Sequence, residues 1–194
     1  YLMSETLSPQ QRSKKPLLWV SMASIGMAFA GLTSGYLVSK SSLEGKGAWL
    51  DFPLPEAFYY STIFIVISSA LLILAGVALK QDANKRFAAL VFGSFAFGLA
   101  FMVSQITAWL SLMDQGIWFT GVKSQAAGSW LYVITWFHWM HVLAGVIVLL
   151  VVMVKALSNR YNQSNRLGFD LAVQFWHYLG GLWLYLLLFL VFLR

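Results

Sequence analysis

Three histidines are the residues of this chain whose type and spacing could do chemistry. His138 and His141 lie three residues apart in the run GSWLYVITWFHWMHVLAG, and His177 lies in a second apolar run, FWHYLGGLWLYLL. If these runs are helical, His138 and His141 share one helix face. Imidazole is a ligand for zinc, copper and haem iron. The first chemistry that the pattern suggests is therefore a metal or haem site between two helices.

A packing role for the histidines is the alternative, and the residue types favour it. A catalytic zinc site usually adds a carboxylate or solvent ligand, and one i, i+3 pair cannot provide haem ligands on opposite faces of a porphyrin. The sequence has no cysteine, which excludes thiolate ligands. Neutral imidazoles can instead hydrogen-bond across helices and satisfy polar groups that are costly to leave unpaired in hydrocarbon. We expect this packing role, with no catalytic residue, metal or cofactor on the chain.

The composition places these histidines in a membrane. The 194 residues are 59% hydrophobic and only 10% charged, and the mean hydropathy is +0.71, which lies outside the range of soluble domains. A net charge of +6 would suggest a nucleic-acid partner for a soluble protein. Here the basic residues cluster at the ends of apolar runs, where membrane orientation and lipid headgroups account for them. We therefore expect an integral membrane protein that binds no nucleic acid.

Five apolar runs are long enough to cross a bilayer, which takes about 20 residues. We predict an all-α bundle of five transmembrane helices, preceded by a polar arm of residues 1–16 at whose end Pro16 can begin a helix. No proline follows Pro55, so the four later helices should be uninterrupted. The transmembrane domain covers residues 17–194, with spans at about 17–38, 57–79, 87–113, 130–154 and 171–193.

The charged residues predict the orientation of the bundle. Nine basic residues lie on the side of the N-terminus and four on the other, and the side richer in Lys and Arg is cytoplasmic. The N-terminus should therefore lie inside and the C-terminus outside. All seven acidic residues lie in loops or at span ends, whereas proton relays and cation channels need acids within the membrane. The nine basic residues are Arg12, Lys14, Lys15, Lys80, Lys85, Arg86, Lys155, Arg160 and Arg166, and the four are Lys40, Lys46, Lys123 and Arg194.

Small residues mark two places where helices should approach closely. One is a stripe in the first span, which runs at helical spacing from Ser24 through Ala28 and Gly31 to Gly35. The other is Gly145, about one turn beyond His141. Small side chains let helix backbones touch in lipid, so we expect a neighbouring helix at both.

Two motifs around the histidines occur in a known family in the same order and at similar spacing. The penultimate run fits the pattern G-S-x7-F-H-x2-H-V-x2-G, and the following residues fit G-F-E, W-H-F and W-L, with Asp170 in place of the Glu and Tyr178 in place of the Phe. These motifs resemble those of cytochrome c oxidase subunit III and of the equivalent subunit of bacterial quinol oxidases, in a short five-helix bacterial form. The motif and helix-packing residues are His138, His141, Gly145, Asp170, Trp176, His177 and Trp183.

The resemblance implies a subunit of a respiratory haem-copper terminal oxidase, which couples oxygen reduction to proton translocation in the bacterial inner membrane. Such a subunit has no active site, and haem and copper are expected on partner subunits I and II. It would pack on subunit I, retain phospholipid and support sustained turnover. A larger respiratory supercomplex is a further partner that the resemblance allows.

Several residues depart from the family pattern where relatives often carry acidic or polar side chains. These positions hold Ser24 or Ile25, Ser61, Ala108 and Gly180, which argues against proton collection through buried carboxylates. Two other functions stay open. One is a subunit III-like accessory protein of nitric oxide reduction, and the other is a small metal-dependent membrane enzyme, which would need more polar groups converging at one depth.

Overall fold

The computed structural model describes residues 9–121, 124–162 and 165–193, with side chains from residue 13 onward. Helix is the regular secondary structure in these ranges, which contain no strand. All five helices are long and apolar enough to cross a membrane. The predicted all-helical membrane bundle is therefore confirmed. The helices are α1 (Pro9–Glu44), α2 (Ala57–Lys80), α3 (Asn84–Asp114), α4 (Ala126–Leu157) and α5 (Leu167–Phe192).

The helices extend beyond most of the predicted spans, because a helix does not end where the hydrocarbon ends. The first begins at Pro9 rather than at Pro16, which lies inside the helix. Pro9 occupies the first turn, where a missing N–H removes no hydrogen bond, and the Gln, Arg and Lys residues that follow favour helix. The helices α2 to α5 contain no proline and are continuous, as predicted.

The antiparallel pair α2 and α3 forms the most extensively packed part of the bundle. The buried Ser68 and Ser94 hydroxyls lie 2.8 Å apart, which needs close approach of the two helices. Two turns from Ser68 on α2, the Ser61 hydroxyl accepts a hydrogen bond from the Gln105 Nε2 of α3 at 2.8 Å. Short polar side chains thus join these helices where both are buried.

Aromatic clusters close the two ends of the bundle. At one end Phe87, just after the α2–α3 turn, packs against Phe169 of α5 with ring centroids 5.1 Å apart. At the other end Tyr36 of α1 packs against Phe189 of α5 at 5.2 Å. These contacts place the start of α1, the α2–α3 turn and the α4–α5 connection at one end. The predicted orientation would make that end cytoplasmic.

The helix α1 is the least buried of the five, and among the described helices its neighbours are α4 and α5. Phe29 and Tyr36, two turns apart, are its largest buried side chains. The Tyr178 hydroxyl of α5 donates to the Met22 carbonyl oxygen at 2.7 Å. One narrow face therefore attaches α1 to the bundle.

The small-residue stripe of α1 lies largely away from that face. Ser24, Ala28 and Gly31 are exposed on the bundle surface, and only Gly35 is covered. A Cβ at Gly35 would lie 2.8 Å from the Trp130 ring. Among the described residues, a neighbouring helix therefore meets the stripe only at Gly35, because the bulky Phe29 and Tyr36 turn their own face inward.

The described acidic residues lie at helix ends or in connections, and none is buried. This confirms the predicted absence of carboxylates inside the bundle for the residues that the structure covers, and Glu5 lies outside them. The six are Glu44, Asp51, Glu56, Asp82, Asp114 and Asp170.

Candidate functional site

His138 lies at the centre of the bundle in a cage of aromatic rings. It is fully buried, and the Phe29 and Phe101 rings lie 6.0 and 6.1 Å from the imidazole between centroids. The Trp183 indole stacks on the imidazole at 5.4 Å with 27° between the planes. Three other helices, α1, α3 and α5, thus contribute one ring each to this cage.

The hydrogen bonds expected between the histidines and other helices are not made. Neither nitrogen of His138 has a hydrogen-bond partner among the described residues. The Nδ1 of His141 lies 2.7 Å from the Phe137 carbonyl oxygen of its own helix, to which a neutral imidazole protonated at Nδ1 donates. The helix α4 is apolar on every side, so its rotation is set by ring packing rather than by imidazole hydrogen bonds.

Indole and hydroxyl groups make the polar contacts between helices instead. The Trp183 Nε1 of α5 donates to the Thr62 hydroxyl of α2 at 2.9 Å. The Trp109 Nε1 of α3 donates to the Thr135 hydroxyl of α4 at 3.1 Å. Sequence reasoning missed both pairs, although a Thr and a Trp in mid-span are a signal, because a buried Trp N–H usually has an acceptor.

Gly145 and Gly98 form a slot for the Trp176 indole. A Cβ at Gly145 would lie 2.8 Å from the Leu179 Cδ1 and 3.1 Å from the Trp176 Cε3. A Cβ at Gly98 of α3 would lie 2.9 Å from the Trp176 Cη2. Trp176 is fully buried, so a large ring on α5 wedges between glycines of two other helices.

His177 lies apart from the other two histidines. It lines a groove between α2 and α5 together with Ser69 and Gly180, and it is half-buried. The three histidines therefore do not meet between α4 and α5, because His177 follows Trp176, and the indole takes the direction toward α4.

Asp170 lies in the first turn of α5 and pairs with an arginine. The Arg166 Nε and Nη2 donate to the two carboxylate oxygens at 2.9 and 3.0 Å. The hydrogen bond to Asp170 raises the pKa of the Arg166 guanidinium. Both side chains are about one-third exposed, so this bidentate pair fixes the local geometry of the α5 start and adds little stability.

The described side chains do not converge on a metal or a reacting group. No group of three or more His, Asp or Glu side chains suited to a metal ion occurs in the ranges that the structure covers, which include all three histidines. The arrangement is typical of a multi-pass membrane protein whose interior is used for helix packing.

Comparison with known proteins identifies the family. Residues 51–193 match the family model described as "Cytochrome c oxidase subunit III". The chain belongs to that family and is a subunit III of a haem-copper oxidase.

The curated relatives carry matching names. A "Cytochrome c oxidase subunit 3" of Corynebacterium diphtheriae is 25% identical over 177 residues, which covers 87% of this chain and 82% of the relative. A "Probable cytochrome c oxidase subunit 3" of Mycobacterium tuberculosis is 25% identical over 195 residues, covering 96% and 90%. A Drosophila yakuba "Cytochrome c oxidase subunit 3" is 35% identical over 65 residues, 34% of this chain and 25% of the relative.

Proposed function

We propose that this chain is a non-catalytic subunit of a respiratory terminal oxidase, which packs on catalytic subunit I and supports sustained turnover. The main support for a non-catalytic role is the aromatic cage around His138. The fully buried imidazole of this residue was the best candidate for chemistry. Aromatic rings from three other helices surround it, so its described neighbours are packing side chains rather than metal ligands. Oxygen reduction and proton translocation then belong to partner subunits I and II, which carry haem and copper.

Membrane phospholipid is a further partner in this proposal. A cavity of about 380 Å³ lies at the end of the bundle where α1 begins, and three basic side chains line it. Basic pockets between helices at the cytoplasmic surface fit anionic headgroups. The three side chains are Lys14, Lys155 and Arg160.

The proposed location is the bacterial inner membrane, with the N-terminus inside. Relatives from bacteria, matched over most of their length, support that membrane, and the excess of basic residues at the end where α1 begins supports the orientation. A larger respiratory supercomplex is a further proposed partner, which purification in mild detergent would detect.

Purification in mild detergent tests the proposal. We expect the chain to co-purify with haem-containing subunits, and its own polypeptide, once separated, to carry no stoichiometric copper, zinc or iron. His138→Ala and His141→Ala should leave the metal content of the complex unchanged. About one equivalent of metal lost in either variant would contradict a non-catalytic role, and catalytic partners that reduce nitric oxide rather than oxygen would reassign the complex.

A further inference from the structure

The groove between α2 and α5 combines an apolar surface with polar side chains at its floor. It has a volume of about 370 Å³ and opens to the outside of the bundle. Its rim is made of Val66 and Ile73 of α2 and Leu184 of α5, which are 50%, 59% and 40% exposed. Ser69 and His177 lie between these apolar residues. In a membrane this surface faces hydrocarbon or another protein.

Both polar groups lie at the middle of their helices. His177 is ten residues beyond Leu167, the start of α5, or about 15 Å along the helix axis. Ser69 is twelve residues beyond Ala57, the start of α2, or about 18 Å. The hydrocarbon core of a bilayer is about 30 Å thick, and both groups lie within the predicted spans, so both lie inside it. A lipid headgroup at either surface cannot reach them, and an acyl chain offers no hydrogen bond.

The chain itself does not satisfy these two side chains. Neither the His177 imidazole nor the Ser69 hydroxyl makes a hydrogen bond with another described residue, whereas His141 donates to the carbonyl four residues before it. A polar group left without a partner in hydrocarbon costs several kcal/mol. The groove therefore favours an occupant that carries hydrogen-bonding groups inside the hydrocarbon core, which is a property of protein and not of lipid.

The floor of the groove also permits a close backbone approach. A Cβ at Gly181 would meet no heavy atom within 4 Å, and a Cβ at Gly180 would lie 3.5 Å or more from Ile65 and Ser69. Neither glycine is needed for packing within the chain, in contrast to Gly145, where a Cβ would collide with Leu179. Gly180 is buried and Gly181 is exposed, so Gly181 is the small residue at which a second helix can pack closely.

We propose that this groove receives a transmembrane helix of another oxidase subunit, and that a polar side chain of that helix hydrogen-bonds to His177 and Ser69. The inference rests on the proposed function, which supplies the partner. It adds the surface of this chain that the partner occupies and the chemistry of the contact. A second copy of this chain and an acyl chain are the competing occupants.

Photo-crosslinking in the membrane identifies the occupant. A photoreactive amino acid is placed at Val66 or Leu184 on the rim of the groove, and at Val103 of α3, which is 59% exposed, as a matched control. We expect the rim positions to crosslink to a haem- or copper-carrying subunit, identified by mass spectrometry, at several times the yield from Val103. Lipid adducts alone, adducts with a second copy, or equal yields from Val103 would overturn the proposal.

Two pairs of variants measure the contact through the fraction of chain retained in the purified complex. His177→Leu should lower that fraction about threefold to tenfold, the value of one hydrogen bond in a membrane, whereas His177→Gln should keep it within about twofold. Gly181→Leu should displace the chain, whereas Gly31→Leu, at an exposed glycine of α1 outside the groove, should not.

The variants also separate this inference from the proposed function. If the unsubstituted chain co-purifies with the redox subunits and all four variants do so equally, only the groove assignment fails. If the unsubstituted chain is not retained by those subunits, the proposed function itself fails.

Discussion

The role of His138 depends on the shape of its ring more than on its nitrogens. The imidazole stacks on the Trp183 indole at 5.4 Å, and both nitrogens lack a partner among the described residues. An unsatisfied buried polar group costs about 1–3 kcal/mol, which the surrounding ring contacts must offset. In this cage the histidine contributes a packed ring, and the free-energy cost of burying its two unpaired nitrogens reduces that gain.

Replacing the ring with and without its nitrogens tests this account. His138→Phe keeps an aromatic ring and removes two unpaired nitrogens, so the temperature at which the chain unfolds in the purified complex should stay equal or rise. His138→Ala leaves a cavity and should cost about 2–4 kcal/mol. Thermal unfolding in detergent measures both. A Phe variant as unstable as the Ala variant would show that the imidazole nitrogens make essential contacts.

The sequence predicted which histidines lie in helices but not what they contact. The helix α4 is apolar all round, and a helix of this kind has no polar face to indicate its rotation. The aromatic residues that surround His138 come from α1, α3 and α5, so their meeting depends on tertiary packing. The Trp183 hydrogen bond to Thr62 was not predicted for the same reason.

At the scale of helices, glycines occur both at buried helix contacts and on the outer surface of the bundle. The lack of a Cβ at Gly145 and Gly98 makes room for the Trp176 ring, whereas a Cβ at Gly31 would have no heavy atom within 4 Å. The same residue type therefore has two uses, and spacing alone did not distinguish them. This explains why the close approach at Gly145 is seen within the bundle while most of the α1 stripe is exposed.

Gly145→Leu and Gly31→Leu compare these two uses directly. A leucine at position 145 would collide with Leu179 and Trp176 and push α5 from α4, at about 1–3 kcal/mol. The same change at position 31 should have no measurable effect on the stability of the chain. Resistance to proteolysis in detergent reports the difference. Equal resistance of the two variants would contradict the packing of α5 on Gly145.

The number and continuity of the helices could be predicted because hydropathy and helix length are properties of each segment alone. Their ends could not, since polar residues with good helix propensity continue a helix past the membrane surface. The start of α3, where Lys85 and Arg86 precede the apolar run, shows this effect. Propensity and hydropathy disagree at such positions, and propensity decides the boundary.

At the scale of the whole molecule, the charge bias predicts which end of the bundle is cytoplasmic. Because the chain has no cysteine, single cysteines can be introduced at exposed positions without background. An impermeant thiol reagent added outside intact cells should label Ser42→Cys and Gln125→Cys but not Gln81→Cys or Ser158→Cys. All four should react after the membrane is opened. Labelling of positions 81 and 158 from outside would require the opposite orientation.

The central claim is that this subunit supports the oxidase without taking part in its chemistry. Oxygen consumption by matched preparations of the complex with and without the chain tests it, with the initial rate and its decay during turnover recorded separately. We expect the depleted enzyme to keep most of its initial rate and to lose activity faster, because the catalytic subunit lacks a packed flank and its lipid and opens locally more often. Complete loss of the initial rate, with subunits I and II and their haem and copper still present, would contradict the account.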